Sequence, residues 1–153
     1  MEKHKVYLKM CQDLSNLSKC SKHKVGALIL KNDRIISNGL NESPKGFINC
    51  CDKFHDVDTH SEPGKSLHRD WAEKFEIHAE MNAILFAAKH GVNLENSTLY
   101  CSLEPCYNCL KHAVTVGIQE IYYGKKHKHN LESPEALDLI KQLGIKIAHI
   151  NYE

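Results

Sequence analysis

The sequence predicts an α/β layer fold around a mixed sheet. Two patterns carry that expectation: an amphipathic first helix followed by a strand hairpin, and an alternation of strand-like and helix-like segments from residue 98 onward. Parallel neighbours need helical crossovers, so the sheet should be antiparallel early in the chain and parallel where helices intervene.

Over residues 3 to 18, Val6, Met10, Leu14 and Leu17 recur at helical spacing and predict an amphipathic helix. Cys11, lying among Leu8, Leu14 and Leu17, reads as a small buried hydrophobe. The apolar run Val25 to Leu30, the turn pair Asn32-Asp33 and the segment Arg34 to Ser37 read as two antiparallel strands. From about residue 42 to 74 the chain is rich in Gly, Pro, Asp, Ser, His and Cys, shows neither period, and reads as a loop insertion. A loop of that length calls for something that orders it. His78 to Lys89 is apolar nearly all round, which predicts a helix buried on several sides and ended near Gly91. Thr98 to Cys101, Ile118 to Tyr123 and Ile145 to Ile150 are strand-like, with helical segments at Tyr107 to Val116 and Pro134 to Leu143 between them.

At 153 residues a single domain spanning 1–153 is expected, with no room for a second catalytic domain. The 20 Lys and Arg nearly cancel the 19 Asp and Glu, for a formal charge of +1, which argues against a duplex nucleic-acid partner. No apolar run approaches the roughly 20 residues of a membrane span, and the charged start Met1-Glu-Lys-His-Lys has no signal core behind it. The expectation is a soluble, cytoplasmic protein without a membrane partner. Among 7 Cys, four are bunched as Cys50-Cys51 and Cys106-x-x-Cys109, and 11 His is a heavy load. In a reducing compartment such grouping suggests metal rather than disulfides.

His78-Ala79-Glu80 opens the predicted apolar helix, and Pro105-Cys106-Tyr107-Asn108-Cys109 opens the next. Two thiolates three residues apart can grip one tetrahedral ion from the first turn of a helix, and His78 supplies a third ligand from the other. Structural zinc sites close all four positions with protein groups, whereas catalytic sites keep one for a water whose pKa falls to about 7. Glu80, two residues from His78, can reach such a water without being a ligand and can move protons while the carbon bearing an amino group is attacked. The positive ends of both helices favour thiolates at Cys106 and Cys109.

His-x-Glu followed by Pro-Cys-x-x-Cys is the signature of zinc-dependent base deaminases. With it, the chain resembles the deoxycytidylate (dCMP) deaminases, particularly viral and phage forms, over nearly all of its length. The resemblance extends through Ser18-Lys-Cys20, Lys24-Val-Gly-Ala27, Arg34-Ile-Ile-Ser37, Asn49-Cys-Cys51, Glu76-Ile-His-Ala-Glu80 and Asn82 to Ala88. It implies a three-layer α/β/α fold around a five-stranded mixed sheet. It also implies hydrolysis of dCMP to dUMP and ammonia, which supplies dUMP for thymidylate synthesis, and usually a homohexamer. A viral member would act in the host cytoplasm.

Carried over residue by residue, the resemblance assigns Asn41 to sugar and base, the Ala79 backbone to the pyrimidine carbonyl, and the Ser102 carbonyl to the leaving amino group. Tyr123 either packs on the nucleotide or is a strand-end core aromatic. Lys19, Ser21 and Lys22, ahead of the first strand, are candidates for the 5'-phosphate, though any one Lys there reads equally as a solvated surface charge. The family usually reads Gly-Tyr-Asn-Gly after the second strand, a segment tied to control by dCTP and dTTP with magnesium. Here it is Gly39-Leu40-Asn41-Glu42, and a carboxylate at Glu42 would repel a triphosphate that came close without magnesium between them. Phage-type members hold a second, structural zinc, whose positions fall here on Cys20, Cys50, His68 and Glu76, with Cys51, His55 and His60 as nearby competitors. Such a site would order the long insertion. Lys125 to His129 reads as a solvated basic loop.

Two rivals remain in view. One keeps the chemistry and changes the substrate to dCTP, cytidine, a tRNA adenosine or a polynucleotide; the near-neutral charge and single Trp disfavour a polymer groove. The other is a non-catalytic zinc module, against which Glu80 speaks, since a closed structural site needs no spare carboxylate.

Overall fold

The structure, a computed structural model, describes residues 2–153. Helix α1 (Glu2–Ser15) leads into a hairpin of β1 (Gly26–Lys31) and β2 (Arg34–Leu40). Its turn residues Asn32 and Asp33 both hold positive φ, 53° and 60°, the handedness that a two-residue turn needs to match strand twist. Helices α2 (Cys50–Lys53), α3 (Gly64–Phe75) and α4 (Ala79–Lys89) precede β3 (Ser97–Leu103). Then α5 (Tyr107–Thr115), β4 (Ile118–Lys125), α6 (Pro134–Leu143) and β5 (Lys146–His149) alternate to the end. The strand order is β2-β1-β3-β4-β5, antiparallel across the first three strands and parallel where α5 and α6 make the crossovers.

The period of two along the strands sorts side chains to both faces. Leu28, Leu30, Tyr100 and Tyr122 pack under α1 with Leu8 and Cys11. Ala27, Ile29, Leu99, Cys101, Ile121 and Tyr123 face α4, α5 and α6. The result is the expected α/β/α arrangement around a five-stranded mixed sheet. Local chemistry sets the ends of α6: Ser133 accepts from the Ala136 amide, Pro134 takes the first position, and Gly144 closes the helix at φ 64°.

Three expectations change. The inward face of α1 is Leu8, Cys11 and Ser15, while Val6, Met10 and Leu17 of the sequence pattern are 48%, 39% and 65% exposed. The cause is close approach: a side chain at Gly26 would strike the Cys11 carbonyl, so small and polar residues line this contact. Second, the stretch from 42 to 74 is not merely a loop, because it contains α2 and the twelve-residue α3. The side chain that α3 buries is the polar His68, whereas Leu67 is exposed, so hydrophobic period fails to reveal it. Third, α4 buries Ala79, Glu80, Ala83, Ile84 and Ala87 but leaves Leu85 and Phe86 exposed; it is buried on one broad side rather than all round.

Helix α4 lies unusually close to β2. A Cβ at Gly39 would fall on the Ala79 carbonyl oxygen and the Ala83 amide. Side chains stitch the contact: the Ser37 hydroxyl donates to the Ala83 carbonyl at 2.6 Å and Asn82 Nδ2 to the Leu40 carbonyl at 2.5 Å. Gly39→Ala is therefore expected to cost about 1–3 kcal/mol by overpacking, read as a lower denaturation midpoint. An unchanged midpoint would mean that the helix does not sit this close.

Candidate metal centre and nucleotide cavity

The start of α4 and the start of α5 meet beyond the carboxyl end of β3. His78 is the N-cap of α4 and makes no capping bond with its side chain, which leaves the ring free for other partners. Cys106 is the N-cap of α5, and its Sγ accepts from the Cys109 amide at 3.4 Å. His78 Nδ1 lies 3.5 Å from Cys106 Sγ and 3.4 Å from Cys109 Sγ. Two ligands on a tetrahedral zinc with bonds of about 2.0–2.3 Å stand about 3.6 Å apart, so the triad has the span of a zinc site. Among the described residues no fourth His, Cys, Asp or Glu joins this group within that reach.

The electrostatics point the same way. A hydrogen bond from Cys109, and then His78, pulls the Cys106 thiol down to about 4, while that same bond and burial push Cys109 up. Bonding to Cys106 raises His78. Two thiols and a ring thus share protons that a divalent cation would displace.

Glu80, in the first turn of α4, is 4% exposed. Its Oε2 is 3.7 Å from Cys109 Sγ and its Oε1 is 3.1 Å from Cys101 Sγ. Burial raises its carboxyl above the ordinary range. It also lines a cavity of about 580 Å³, the size of a small-molecule site, together with His78, Ala79, Asn41 and Cys106.

A second group lies on another wall of the same cavity. Cys20, Cys50, His68 and Glu76 each offer a ligand atom within 4.8 Å of the others. Cys20 Sγ is 3.6 Å from both His68 Nε2 and Glu76 Oε2, and His68 Nε2 is 3.2 Å from Cys50 Sγ. Burial pushes the Glu76 carboxyl up to about 7, and the bond to Cys20 holds Cys50 down at about 5. Glu76 Oε1 is buried with no hydrogen-bond partner. A buried, orphaned carboxylate oxygen beside two thiols and an imidazole fits a tetrahedral cation. The competitors stand apart: Cys51 is exposed, His55 pairs with Asp56 at 2.8 Å, and His60 is exposed.

Of the remaining candidates, Asn41 and Lys22 line the cavity. Asn41 is mostly committed internally, since Oδ1 accepts from Ser18 Oγ and the Val25 amide while Nδ2 donates to the His23 carbonyl. The Ser102 hydroxyl accepts from the Gly26 amide at 3.0 Å. Ser21 turns its amide and hydroxyl to Cys50 Sγ, both at 3.2 Å, and so belongs to the second cluster. Lys19 is exposed, its carbonyl accepting from the Cys51 amide. Tyr123 packs in the main core, where burial, and then the Glu104 carboxylate, raise its phenol to about 12. Neither Lys19, Ser21, Ser102 nor Tyr123 lines the cavity.

Three features escaped the sequence. Lys65 and Arg69 of α3 stand at the rim of the cavity. The basic loop is not simply solvated, because His127 and Lys128 also line that rim, with the His127 ring 5.5 Å from His23. Glu104, 2% exposed, holds this loop by accepting from the His127 and Asn130 amides at 3.4 and 2.8 Å. The acidic residue just before Pro105-Cys106 was the available signal.

Residues 1–125 match the family model for the cytidine and deoxycytidylate deaminase zinc-binding region. The deoxycytidylate deaminase of Enterobacteria phage T4 is 36% identical, over 90% of this chain and 84% of that protein. That of Saccharomyces cerevisiae is 30% identical over 95% of this chain but only 44% of its own length. The crystal structure of a dCMP deaminase from the cyanophage S-TIM5, in complex with dCMP and dUMP, superposes with a TM-score of 0.75 at 30% identity, covering 97% of each chain. A match that runs from the first helix through the starts of α4 and α5 to the end of β4 covers most of the chain, and the chain belongs to the cytidine and deoxycytidylate deaminase family.

Proposed function

We propose that this chain hydrolyses dCMP to dUMP and ammonia. The observation that carries the reading is a buried carboxylate, Glu80, that lies against a His-Cys-Cys triad on the wall of a nucleotide-sized cavity. The names of the phage relatives, and the dCMP and dUMP in the cyanophage complex, support the choice of substrate.

His78, Cys106 and Cys109 would hold the catalytic zinc. Bound there, zinc supplies Lewis acidity that makes water nucleophilic near neutral pH. Glu80 takes the two protons of the attacking water in turn, passing one to the ring nitrogen and one to the departing amino group, so that water and dCMP leave as dUMP and ammonia. Its raised carboxyl suits a group that must both accept and release protons near neutrality. Ala79, as the first residue of α4, carries one of the amides that a helix start leaves without an intrahelical acceptor, and so can meet the pyrimidine carbonyl. The remaining amide hydrogen of Asn41 serves the sugar. The Ser102 backbone carbonyl is assigned to the leaving amino group by resemblance. Lys22 remains the phosphate candidate, joined by Lys65, Arg69 and Lys128 around the rim.

Cys20, Cys50, His68 and Glu76 would hold a second, structural zinc within one domain, tying α2 and α3 to the approach to β1. The exposed Leu85 and Phe86 of α4 suit association of copies, a hexamer by resemblance, acting in a host cytoplasm if the chain is viral. Glu42 is bridged to Ile77 through both backbone bonds, which fixes it beside the residue that precedes His78. A triphosphate that came close to this carboxylate without magnesium between them would be repelled, so activation by dCTP is weak or absent.

Three measurements test the reading. In an absorbance assay against dCMP, dCTP, deoxycytidine, CMP and a tRNA anticodon stem, dCMP is expected to be turned over best, with dCTP leaving the rate at low dCMP unchanged. A flat trace with every cytosine nucleotide would refute the activity, and a steep rise with dCTP the regulation. Glu80→Gln is expected to keep fold and zinc while losing at least about 100-fold in turnover; activity near the parent level would remove its role. Metal analysis of the purified chain should return two zinc ions, with Cys50→Ser lowering the count by one and the melting temperature with it. A parent count of one leaves no second site.

A further inference from the structure

A thiol reaches Glu80 from the body of the sheet. Cys101, in β3, is wholly buried and does not line the cavity, yet its Sγ stands 3.1 Å from Glu80 Oε1. The other oxygen, Oε2, is turned toward Cys109. Among the described residues these two thiols are the side chains that bond the carboxylate. Cys109 gives up its proton when it binds a metal, which leaves Cys101 as the donor that persists. Complete burial holds the Cys101 thiol well above its ordinary range, so it keeps its proton. An apolar residue would fill the same space in the core; what sets the thiol apart is the hydrogen it can donate.

We propose that Cys101 is a positioning residue for deamination: its thiol donates to Glu80 Oε1 and so holds Oε2 toward the His78-Cys106-Cys109 triad and the cavity. The proposal rests on the deaminase reading above. A carboxylate on two free torsions would otherwise sample orientations in which neither oxygen meets the reacting water. A donor rooted in a central strand, paired on both sides to β1 and β4, removes that freedom. Such outer contacts typically govern 10–100-fold of activity.

Cys101→Ala and Cys101→Val bracket the volume and lack the donor, whereas Cys101→Ser keeps one. Both apolar variants are expected to lose about 10-fold or more in kcat with dCMP, with KM and zinc content unchanged, and the Ser variant to stay within about 3-fold of the parent. Because Ser is the more polar replacement in the core, a merely structural role would rank the variants the other way. A second readout is independent of turnover. In infrared difference spectra between parent and Cys101→Ser, the Cys101 S–H stretch should lie at the low frequency of a bonded thiol and move to the free-thiol position in Glu80→Ala. Parent-like kcat in the apolar variants, a Ser variant as slow as they are, or a free-thiol band in the parent each overturns the proposal. A parent chain inactive on dCMP fails the deaminase reading and this proposal together; an active parent with indifferent variants fails this proposal alone.

Discussion

The constraint on which the site depends is the close seating of α4 against the hairpin edge of the sheet. That helix presents Ala79, Ala83 and Ala87 inward, and β2 answers with Gly39, so backbone approaches backbone without intervening side chains. Van der Waals packing at that range tolerates almost no adjustment, since even one methyl group has nowhere to go. The seating fixes where the first turn of α4 ends up, and with it His78 and Glu80. Helix α5 is placed independently, by the run of β3 into Pro105-Cys106. Two helix starts, each the positive end of its dipole, then face one another across a few ångströms. Nothing apolar could stabilise that meeting, whereas the thiolates of Cys106 and Cys109 can.

The insertion between β2 and α4 follows the same logic with fewer apolar groups. Its apolar cluster is small, Phe54 and Trp71 with Cys20 and Cys50, the Phe54 and Trp71 rings 5.6 Å apart. Ordering that much chain needs more than four side chains supply. The ligand-capable atoms of Cys20, Cys50, His68 and Glu76 come from four separate places: the approach to β1, α2, α3 and the step before α4. The proposed metal cross-link among them would restrain all four segments at once, and Ser21, bonded to Cys50 Sγ through amide and hydroxyl, would steady the thiolate from behind. Because α3 also contributes Lys65 and Arg69 to the rim, whatever orders the insertion shapes the cavity mouth.

How much of this was legible depended on how local the cause was. Helix α6 could be read to the residue, because Ser133, Pro134 and Gly144 act within their own turns. The triad was legible because metal ligands obey fixed chemistry at short spacing, and the span found for His78, Cys106 and Cys109 is the one that chemistry asks for. The inward face of α1 was not, since Gly26 lets the helix come so near that Cys11 and Ser15, not the larger Val6 and Met10, fit the contact. Helix α3 hid because its buried side chain is an imidazole. Contacts between Cys101 and Glu80, or between Glu104 and the loop at His127, join residues more than twenty positions apart and exist only once the sheet has formed.

Burial of Glu80 then explains the division of labour between the two clusters. Two thiolates cancel the charge of a divalent ion, so the proposed catalytic centre of His78, Cys106 and Cys109 would carry no net charge, and Glu80 beside it bears its own desolvation cost largely alone. That cost is what raises the carboxyl toward neutrality, and a nearby Lys or Arg would abolish it. The cations that line the cavity sit elsewhere, on Lys22, Lys65, Arg69 and Lys128, residues of intermediate or full exposure at the rim, where charge is well solvated. In the other, proposed structural cluster Glu76 would stand among the ligands themselves, its charge added to those of two thiolates, an arrangement that would hold an ion firmly and leave no carboxylate free to move protons. On the proposed reading, the difference between the reactive and the structural centre comes down to one carboxylate placed beside the triad in the first case and within the donor set in the second.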